Sequence, residues 1–495
     1  MGRNNKMMIA GRESMADVAG GGSGLAVRRK HTGKAGRGRS LAARFLAALL
    51  AAVLCLAAGC GPKGNGEVES VSAVDGNGAA GQDVTEPGAT ESGATEPGAT
   101  EPGATEPGGA ADGVKDLMAG MEVGHPDIAL EAETYLKCRD AVADYAVRLL
   151  GSCVSPDENV MVSPVSVVYA LAMVANGAEG ETLEEFEKMV GIDRYTLNIF
   201  LNMYMDKLKS LDGDEITVNM ADSIWFDDDL EVKEAFLLTN AGSLGAEVYQ
   251  TPFNLDAIKA INGWVEKNTL GMIKKIIDEI SEDDMMYIMN AVAAKAKWAE
   301  PFKESNTHES EFRTEAGEVK KTDMMHASDD LTYISDGKTV GFIKRYNGGM
   351  SFAALLPEEG TSTKDFIGGL TGGGLVKLLE KTGEESVNIG LPKFKSESTI
   401  EMKDILKGLG LKRAFERDAE LGGISDESLY VGDVLHKTFI KVDEQGTEAA
   451  AVTGVMVKAS GYTEPKVVIL DRPFVYVIFD DASCTPLFIG TYQTP

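Results

Sequence analysis

The chain has 495 residues, a formal net charge of −29, 56 glycines and only five cysteines and five histidines. A hydrophobic content of 43% and a charged content of 25% exclude a chain that is disordered or collagen-like throughout. Five cysteines and five histidines are too few for a Cys/His-rich metal scaffold. The negative charge argues against a nucleic acid partner, because phosphate binding needs clustered Lys and Arg.

The first 59 residues differ in charge from the rest of the chain. They contain ten Lys or Arg and two Asp or Glu, a net charge of +8, so the remaining 436 residues carry −37. An apolar run at residues 45–58 follows the basic residues and is too short to span a bilayer as a helix. This order predicts a secretory signal over residues 1–59. Because the basic region is long, translation could also begin at Met7, Met8 or Met15.

Cys60 follows the small residues Leu56-Ala57-Ala58-Gly59. This resembles a bacterial lipobox, in which the cysteine is acylated and becomes the mature N-terminus, although Leu lies one place earlier than in the commonest form. The alternative is an ordinary signal peptide with an incidental cysteine. The sequence predicts a lipid anchor at Cys60, which would place the protein outside the cytoplasm on the cell surface, or shed from it into the extracellular space.

Residues 60–128 are rich in Gly, Ala, Glu and Pro and include five near-copies of Thr-Glu-Pro-Gly-Ala. With almost no large apolar residue, this segment cannot bury enough surface to offset its ordering entropy. We predict a disordered tether, which as a flexible coil of about 65 residues would average about 40–50 Å end to end. It is either a spacer that holds the body off the membrane or neutral low-complexity sequence.

Residues 129–495 have the pattern of one α+β domain. Helical apolar spacing or an apolar run with a stop signal predicts helices at 131–150, 167–175, 181–189 and 257–268. For the second of these helices, Ser163 is the predicted N-cap and Pro164 lies in the first turn. Apolar runs predict strands at 160–162, 218–226, 286–298, 352–356, 387–394, 439–442, 467–470, 474–479 and 487–490. Early helices followed by antiparallel strands favour the α+β class.

Several separated motifs of this domain agree with a known family in order and spacing. They lie at residues 159–166 (NVMVSPVS), 261–269 (INGWVEKNT), 290–291 (NA), 297–302 (KWAEPF), 391–394 (LPKF), 440–448 (IKVDEQGTE) and 471–474 (DRPF). Together they resemble the serpin family over residues 131–495.

The resemblance implies three β-sheets, eight or nine helices and an exposed reactive loop near the C-terminus. It implies an inhibitor rather than an enzyme, with no cofactor and no metal, whose partner is a target protease of the serine type. In inhibitory members the protease cleaves the loop, the loop inserts into the main sheet, and the acyl-bound protease is trapped. A monomer is expected.

The family's hinge matches Gly446-Thr447-Glu448-Ala449-Ala450-Ala451-Val452-Thr453. Alternate residues of an inserted strand point to opposite faces of the sheet. One set is small or β-branched and uncharged: Thr447, Ala449, Ala451, Thr453, Val455 and Val457. The other set carries both charges: Glu448, Ala450, Val452, Gly454, Met456 and Lys458. This alternation, with no proline before Tyr462, predicts a loop able to insert; the alternative is an Ala-rich flexible loop that does not insert.

Family spacing from Glu444 predicts cleavage between Ser460 and Gly461. Counting back from the motif at 471–474 lands nearer Tyr462. A small Ser suits an elastase- or subtilisin-like protease, Tyr462 a chymotrypsin-like one and Lys458 a trypsin-like one.

Four residues suggest a hydrolase, because Ser with His resembles a nucleophile and its base: Ser163, Ser166, Asn290 and His436. By resemblance they instead form a buried hydrogen-bond cluster that governs strand separation. Lys393 and Glu444 match positions that form a gating ion pair at the top of the sheet, and Trp298 should pack where insertion begins.

The leading hypothesis is a membrane-tethered suicide inhibitor of serine proteases. The alternatives are an inhibitor of papain-like cysteine proteases by the same loop, a non-inhibitory serpin that acts as a binding or carrier module, and an unrelated surface hydrolase. The last lacks motif support, since no nucleotide-binding, zinc-protease or nucleophile-elbow motif occurs in the chain.

Overall fold

The computed structural model describes residues 113–121, 128–281, 284–447 and 464–495. The predicted signal region and most of the predicted tether lie outside these ranges. Residues 113–121 of that predicted tether lie inside them, and Lys115–Asp116 form a strand. These residues with predicted roles also lie outside the described ranges: Cys60, Glu448, Ala449, Ala450, Ala451, Val452, Thr453, Ser460 and Gly461. Their roles stay predictions.

The described ranges contain nine α-helices. They are α1 (Ala132–Cys153), α2 (Pro164–Ala175), α3 (Gly180–Val190), α4 (Arg194–Leu211), α5 (Glu234–Leu244), α6 (Leu255–Asn268), α7 (Thr363–Gly369), α8 (Gly372–Leu379) and α9 (Lys403–Leu409). Within the described residues, none of these helices combines the length and apolarity needed to cross a bilayer.

Sixteen strands accompany the helices in the described ranges. The first eight are β1 (Lys115–Asp116), β2 (Val160–Val162), β3 (Ile216–Phe226), β4 (Glu247–Gln250), β5 (Met286–Lys297), β6 (Thr307–Arg313), β7 (Val319–Ser335) and β8 (Thr339–Arg345). The others are β9 (Met350–Pro357), β10 (Glu385–Pro392), β11 (Phe394–Glu401), β12 (Asp433–Asp443), β13 (Gly446–Thr447), β14 (Lys466–Ile469), β15 (Phe474–Asp480) and β16 (Pro486–Tyr492).

The strands form a seven-stranded sheet in the order β1-β4-β3-β5-β13-β12-β11 and a second set in the order β14-β10-β7-β8-β9-β15-β16-β2, with β6 added to β7. The long strand β7 belongs to two parts of that second set. Its residues 319–331 pair with β6 and β10, and its residues 332–335 pair with β8. The three sheets that the resemblance implies are thus present, two of them joined through β7.

The core lies between these layers, and α2 is at its centre. Every residue of α2 is buried, as expected for a helix that is apolar on all sides. The central strand β5 is covered on both faces. Ile288 and Val292 point into the main core, whereas Met289 and Ala291 join a smaller core with Ile261 of α6. This period of two is that of a central strand covered on both faces.

The structure corrects several sequence predictions. Residues 387–394 were expected to be one strand, but β10 and β11 are two strands of different sheets with Lys393 between them. Ser163 occupies the N-cap of α2, yet its side chain makes no capping hydrogen bond. Helices α4, α5, α7, α8 and α9 and strands β1, β4, β6, β7, β8 and β11 were not predicted.

A substitution on α1 tests which face holds the domain together. Leu150 is fully buried, whereas Leu136 on the same helix is 43% exposed. Leu150→Ala should lower the free energy of unfolding by about 2–5 kcal/mol, because it leaves a cavity in the core. Leu136→Ala, the matched control, should change it by no more than about 0.5 kcal/mol. Equal effects in denaturant titrations would contradict this packing.

Candidate functional site

The seven-stranded sheet is closed at one end of its central strand pair and divided at the other. Residues 433–439 of β12 pair directly, in parallel, with residues 287–293 of β5. Further along, β13 lies between the same two strands and is antiparallel to both. The sheet is therefore divided where the predicted hinge begins.

Gly446 and Thr447 fit this division in different ways. Gly446 has φ of +147°, and a Cβ there would lie 2.1 Å from the carbonyl oxygen of Ala296, so only glycine fits. Thr447 pairs with Ala296 on one side and Val442 on the other. Its side chain is 1% exposed, and its Oγ1 lies 2.8 Å from the hydroxyl of Tyr346. The uncharged set of hinge residues therefore begins on the buried face.

Trp298 holds the turn that leads into β13. Its indole Nε1 donates to the carbonyl of Asp443 at 3.0 Å, and its backbone N–H donates to the carbonyl of Gln445 at 2.9 Å. The indole is 1% exposed and stacks on Tyr346, with ring centroids 4.2 Å apart and an interplanar angle of 9°. The predicted position of Trp298 at the start of insertion agrees with this geometry.

Glu444 is held in the same turn by three groups. Its carboxylate accepts hydrogen bonds from Lys393 Nζ at 2.8 Å and from Thr307 Oγ1 at 2.9 Å, and its carbonyl accepts one from the backbone N–H of Phe302 at 2.8 Å. Burial raises the pKa of Glu444, but these side-chain hydrogen bonds more than offset that effect and keep the pKa below its usual range. The hydrogen bond to Glu444 raises the pKa of Lys393.

The four predicted cluster residues lie together where α2 begins beneath β5 and β12. The backbone N–H of Ser163 donates to His436 Nε2 at 3.0 Å, and His436 Nδ1 bonds Asn290 Oδ1. Asn290 Nδ2 donates to Ser166 Oγ and to Asp222 Oδ1. The buried Oγ of Ser163 has no hydrogen-bond partner among the described residues. Among the described residues, no hydroxyl is hydrogen-bonded to the histidine, so this is not the arrangement of a nucleophile with its base.

Protonation in the cluster follows from burial. Burial lowers the pKa of His436 to about 3, so the ring is neutral. Its Nε2 accepts from Ser163, which places the proton on Nδ1. Burial also raises the pKa of Asp222 to about 8, although hydrogen bonds from Asn290 and Ser166 work in the opposite direction. The cluster is therefore an uncharged network at neutral pH.

Sequence reasoning missed Asp222 and Tyr346. Asp222 was detectable, because it is an acidic residue within an otherwise uncharged run predicted as a strand. Tyr346 lies just after β8, a strand that was not predicted, and carries no local signal. Tyr346 could be identified only through its contacts with distant parts of the chain.

The raised pKa of Asp222 generates a prediction for Asp222→Asn. The folded protein keeps a proton that the unfolded chain releases, so the wild-type free energy of unfolding should lose up to about 1.4 kcal/mol per pH unit between about pH 4 and pH 8. The variant lacks this loss, so it should become more stable than the wild type as pH rises through that window. The buried His436 makes the free energy of unfolding depend on pH in the opposite direction. Because it is present in both proteins, it does not affect the comparison.

Denaturant titrations from pH 4 to pH 9 measure this difference. Asp228→Asn changes an exposed aspartate just after the same strand and should run parallel to the wild type. If the free energy of unfolding of Asp222→Asn, measured relative to that of the wild type, did not rise with pH, the buried, protonated carboxyl would be contradicted.

Comparison with known proteins places this geometry in a family. Residues 140–495 match the family model described as Serpin (serine protease inhibitor). The chain is 32% identical over 370 residues to an uncharacterised serpin-like protein of Thermococcus kodakarensis, covering 72% of this chain and 85% of the relative. It is 29% identical over 384 residues to the alpha-1-antiproteinase of Rattus norvegicus, covering 74% of this chain and 91% of the relative.

A solved structure shows the same fold. The native state of the thermophilic serpin tengpin is 36% identical, with a TM-score of 0.73, and the match covers 77% of this chain and 100% of tengpin. The residues that match the family model include β5, β12, β13 and the buried cluster. These findings support protease inhibition in general and not catalysis, as the sequence predicts. This chain belongs to the serpin family.

Proposed function

We propose that this protein is a suicide inhibitor of serine proteases, tethered to a membrane. The observation that carries the proposal is the pair Gly446-Thr447, which lies as a strand between β5 and β12. A target protease would cleave the loop after the hinge. The freed loop would then continue the strand that Gly446 and Thr447 begin, and the acyl-linked protease would be carried along and trapped.

The register of the divided sheet supports continued insertion. Thr447 lies opposite both Ala296 and Val442, and the parallel pairs 287–293 with 433–439 keep the same offset between β5 and β12. A loop that continued this register would occupy the sheet as far as residue 456. Insertion would separate the seven residue pairs that β5 and β12 form with each other, and the loop would pair with both strands instead. The sheet would therefore gain ladder hydrogen bonds.

The charges along this path also support insertion. In the same register, Glu448 would lie between Lys295 of β5 and Lys441 of β12, on the outer face of the sheet. Directly opposite residues of antiparallel neighbours share a face, and opposite charges there are stabilising. The acidic hinge residue would thus arrive between two lysines, while the uncharged set of hinge residues would face the core.

The reactive bond stays the predicted Ser460–Gly461, with Tyr462 and Lys458 as alternative specificity residues. A serine protease is favoured because the family description names serine proteases. Papain-like cysteine proteases could meet the same loop. A non-inhibitory binding role is disfavoured because the hinge has the small, alternating residues that insertion needs.

Mixing the mature chain with elastase-, subtilisin-, chymotrypsin- and papain-like proteases at near-equimolar ratio tests the proposal. An SDS-resistant complex and a released peptide that begins at Gly461 are expected. Cleavage of the loop without complex or inhibition would overturn the inhibitor function. A different new N-terminus would correct the reactive bond alone.

Thr447→Arg should convert the inhibitor into a substrate. Thr447 is 1% exposed against Tyr346, and a buried unpaired charge there would cost enough to reduce the trapped fraction at least about tenfold. Thr447→Val has nearly the same shape without charge and should still trap. Gel analysis of complex against cleaved protein measures both, and equal trapping by Thr447→Arg would show that insertion is not the mechanism.

The proposed location is the outer surface of a membrane, with a lipid on Cys60 and the acidic low-complexity segment as spacer. Cys60→Ser should abolish incorporation of radiolabelled palmitate and shift the protein from the membrane fraction to the soluble fraction, with inhibition unchanged. Cys153→Ser, in the folded domain, is the matched control. Membrane association that survives Cys60→Ser would contradict the anchor.

A further inference from the structure

A lysine side chain is buried beneath the divided end of the sheet. Lys344 of β8 is 1% exposed, and its Nζ lies 2.9 Å from Asp329 Oδ2 of β7. The same ammonium lies over two aromatic rings, 4.7 Å from the ring centroid of Phe302 and 5.7 Å from that of Trp298. The charge is thus held between one carboxylate and two ring faces.

Overall stability does not account for a charge at this place. Removing two ions from water is costly, and replacing a buried ion pair by apolar side chains of similar volume is often neutral or stabilising. An unbranched apolar residue such as methionine would fill this space. What a buried cation adds is a directional attraction for ring faces, which is strongest where water is excluded.

Both rings belong to residues that hold the turn before β13. Trp298 donates its backbone N–H and its indole N–H to Gln445 and Asp443, and Phe302 donates its backbone N–H to Glu444. The position of this turn determines where Thr447 lies between β5 and β12. A contact that fixes the two rings therefore also fixes the point at which insertion starts.

We propose that Lys344 is a positioning residue for loop insertion: its buried ammonium fixes Trp298 and Phe302, and these hold residues 443–447 in the divided sheet. The expected effect of Lys344 on protease trapping rests on the proposed function. Its expected effect on the position of residues 443–447 does not, because that effect is measured in the uncleaved protein.

Three variants of the full mature chain separate charge from packing. Lys344→Met keeps the length of the side chain and removes the charge. Lys344→Arg keeps the charge and should restore the wild-type behaviour. Lys338→Met, at an exposed lysine just before the same strand, is the control for loss of a lysine. If the carboxylate left by Lys344→Met prevents folding, the double variant Lys344→Met with Asp329→Leu removes both partners.

The first measurement is amide hydrogen exchange of the uncleaved proteins, read over residues 439–447 and, for comparison, over β16. Lys344→Met should accelerate exchange in residues 439–447 by about tenfold, which corresponds to the loss of one desolvated cation–π contact. Exchange over residues 439–447 should match the wild type in Lys344→Arg and in Lys338→Met. Exchange over β16 should match the wild type in every variant. Unchanged exchange over 439–447 in Lys344→Met, or in the double variant, would overturn the proposal.

The second measurement is the fraction of protease encounters that end in a trapped complex, taken well below the unfolding midpoint of each variant. A positioning role predicts about a fivefold to tenfold smaller trapped fraction for Lys344→Met and recovery in Lys344→Arg. A purely structural lysine would shift the unfolding midpoint and leave the trapped fraction unchanged, which would overturn the inference. If the wild type traps no protease, the proposed function fails, and hydrogen exchange alone then decides the role of Lys344.

Discussion

The direct pairing of β5 with β12 is the interaction on which the rest of the molecule depends. It is complete over residues 287–293 and 433–439, and it is replaced beyond them by Gly446 and Thr447. A central sheet normally satisfies every backbone group of its inner strands. Here the backbone N–H and C=O groups of β5 and β12 can form hydrogen bonds either with each other or with a third segment between the two strands. The two arrangements compete for the same N–H and C=O groups.

Two side-chain clusters of different chemistry lie along the seam, the line along which β5 and β12 are adjacent. At the divided end, Trp298 and Tyr346 form an apolar platform above a buried cation. At the middle of the paired part, His436 and Asn290 form a neutral polar network with Asp222. A buried polar network is costly when only partly satisfied. The divided end is thus held by ring stacking over a cation, and the closed part by a buried polar network.

The sequence predicted much of this site because family motifs are contiguous. The seam strands, Trp298, the Lys393–Glu444 pair and the cluster serines all lie within short matching runs. What it did not predict depends on distance along the chain. Tyr346 and Lys344 lie at the divided end of the sheet only because β8 and the residue after it lie against the residues after β5. The expected cap by Ser163 followed local rules, but its hydroxyl makes no capping hydrogen bond in the structure.

The hydroxyl of Ser163, which has no hydrogen-bond partner among the described residues, would bear on the timing of the proposed insertion. His436 and Asn290 are opposite each other in the seam, so an advancing strand would have to separate them at its seventh residue, counted from Gly446 as zero. In the register of Thr447, that residue would be Thr453, which the alternation of an inserted strand would assign to the same face as Thr447. The separation of His436 from Asn290 would then coincide with the arrival of the Thr453 hydroxyl. The same step that breaks the polar network would therefore bring a new hydrogen-bonding group to it.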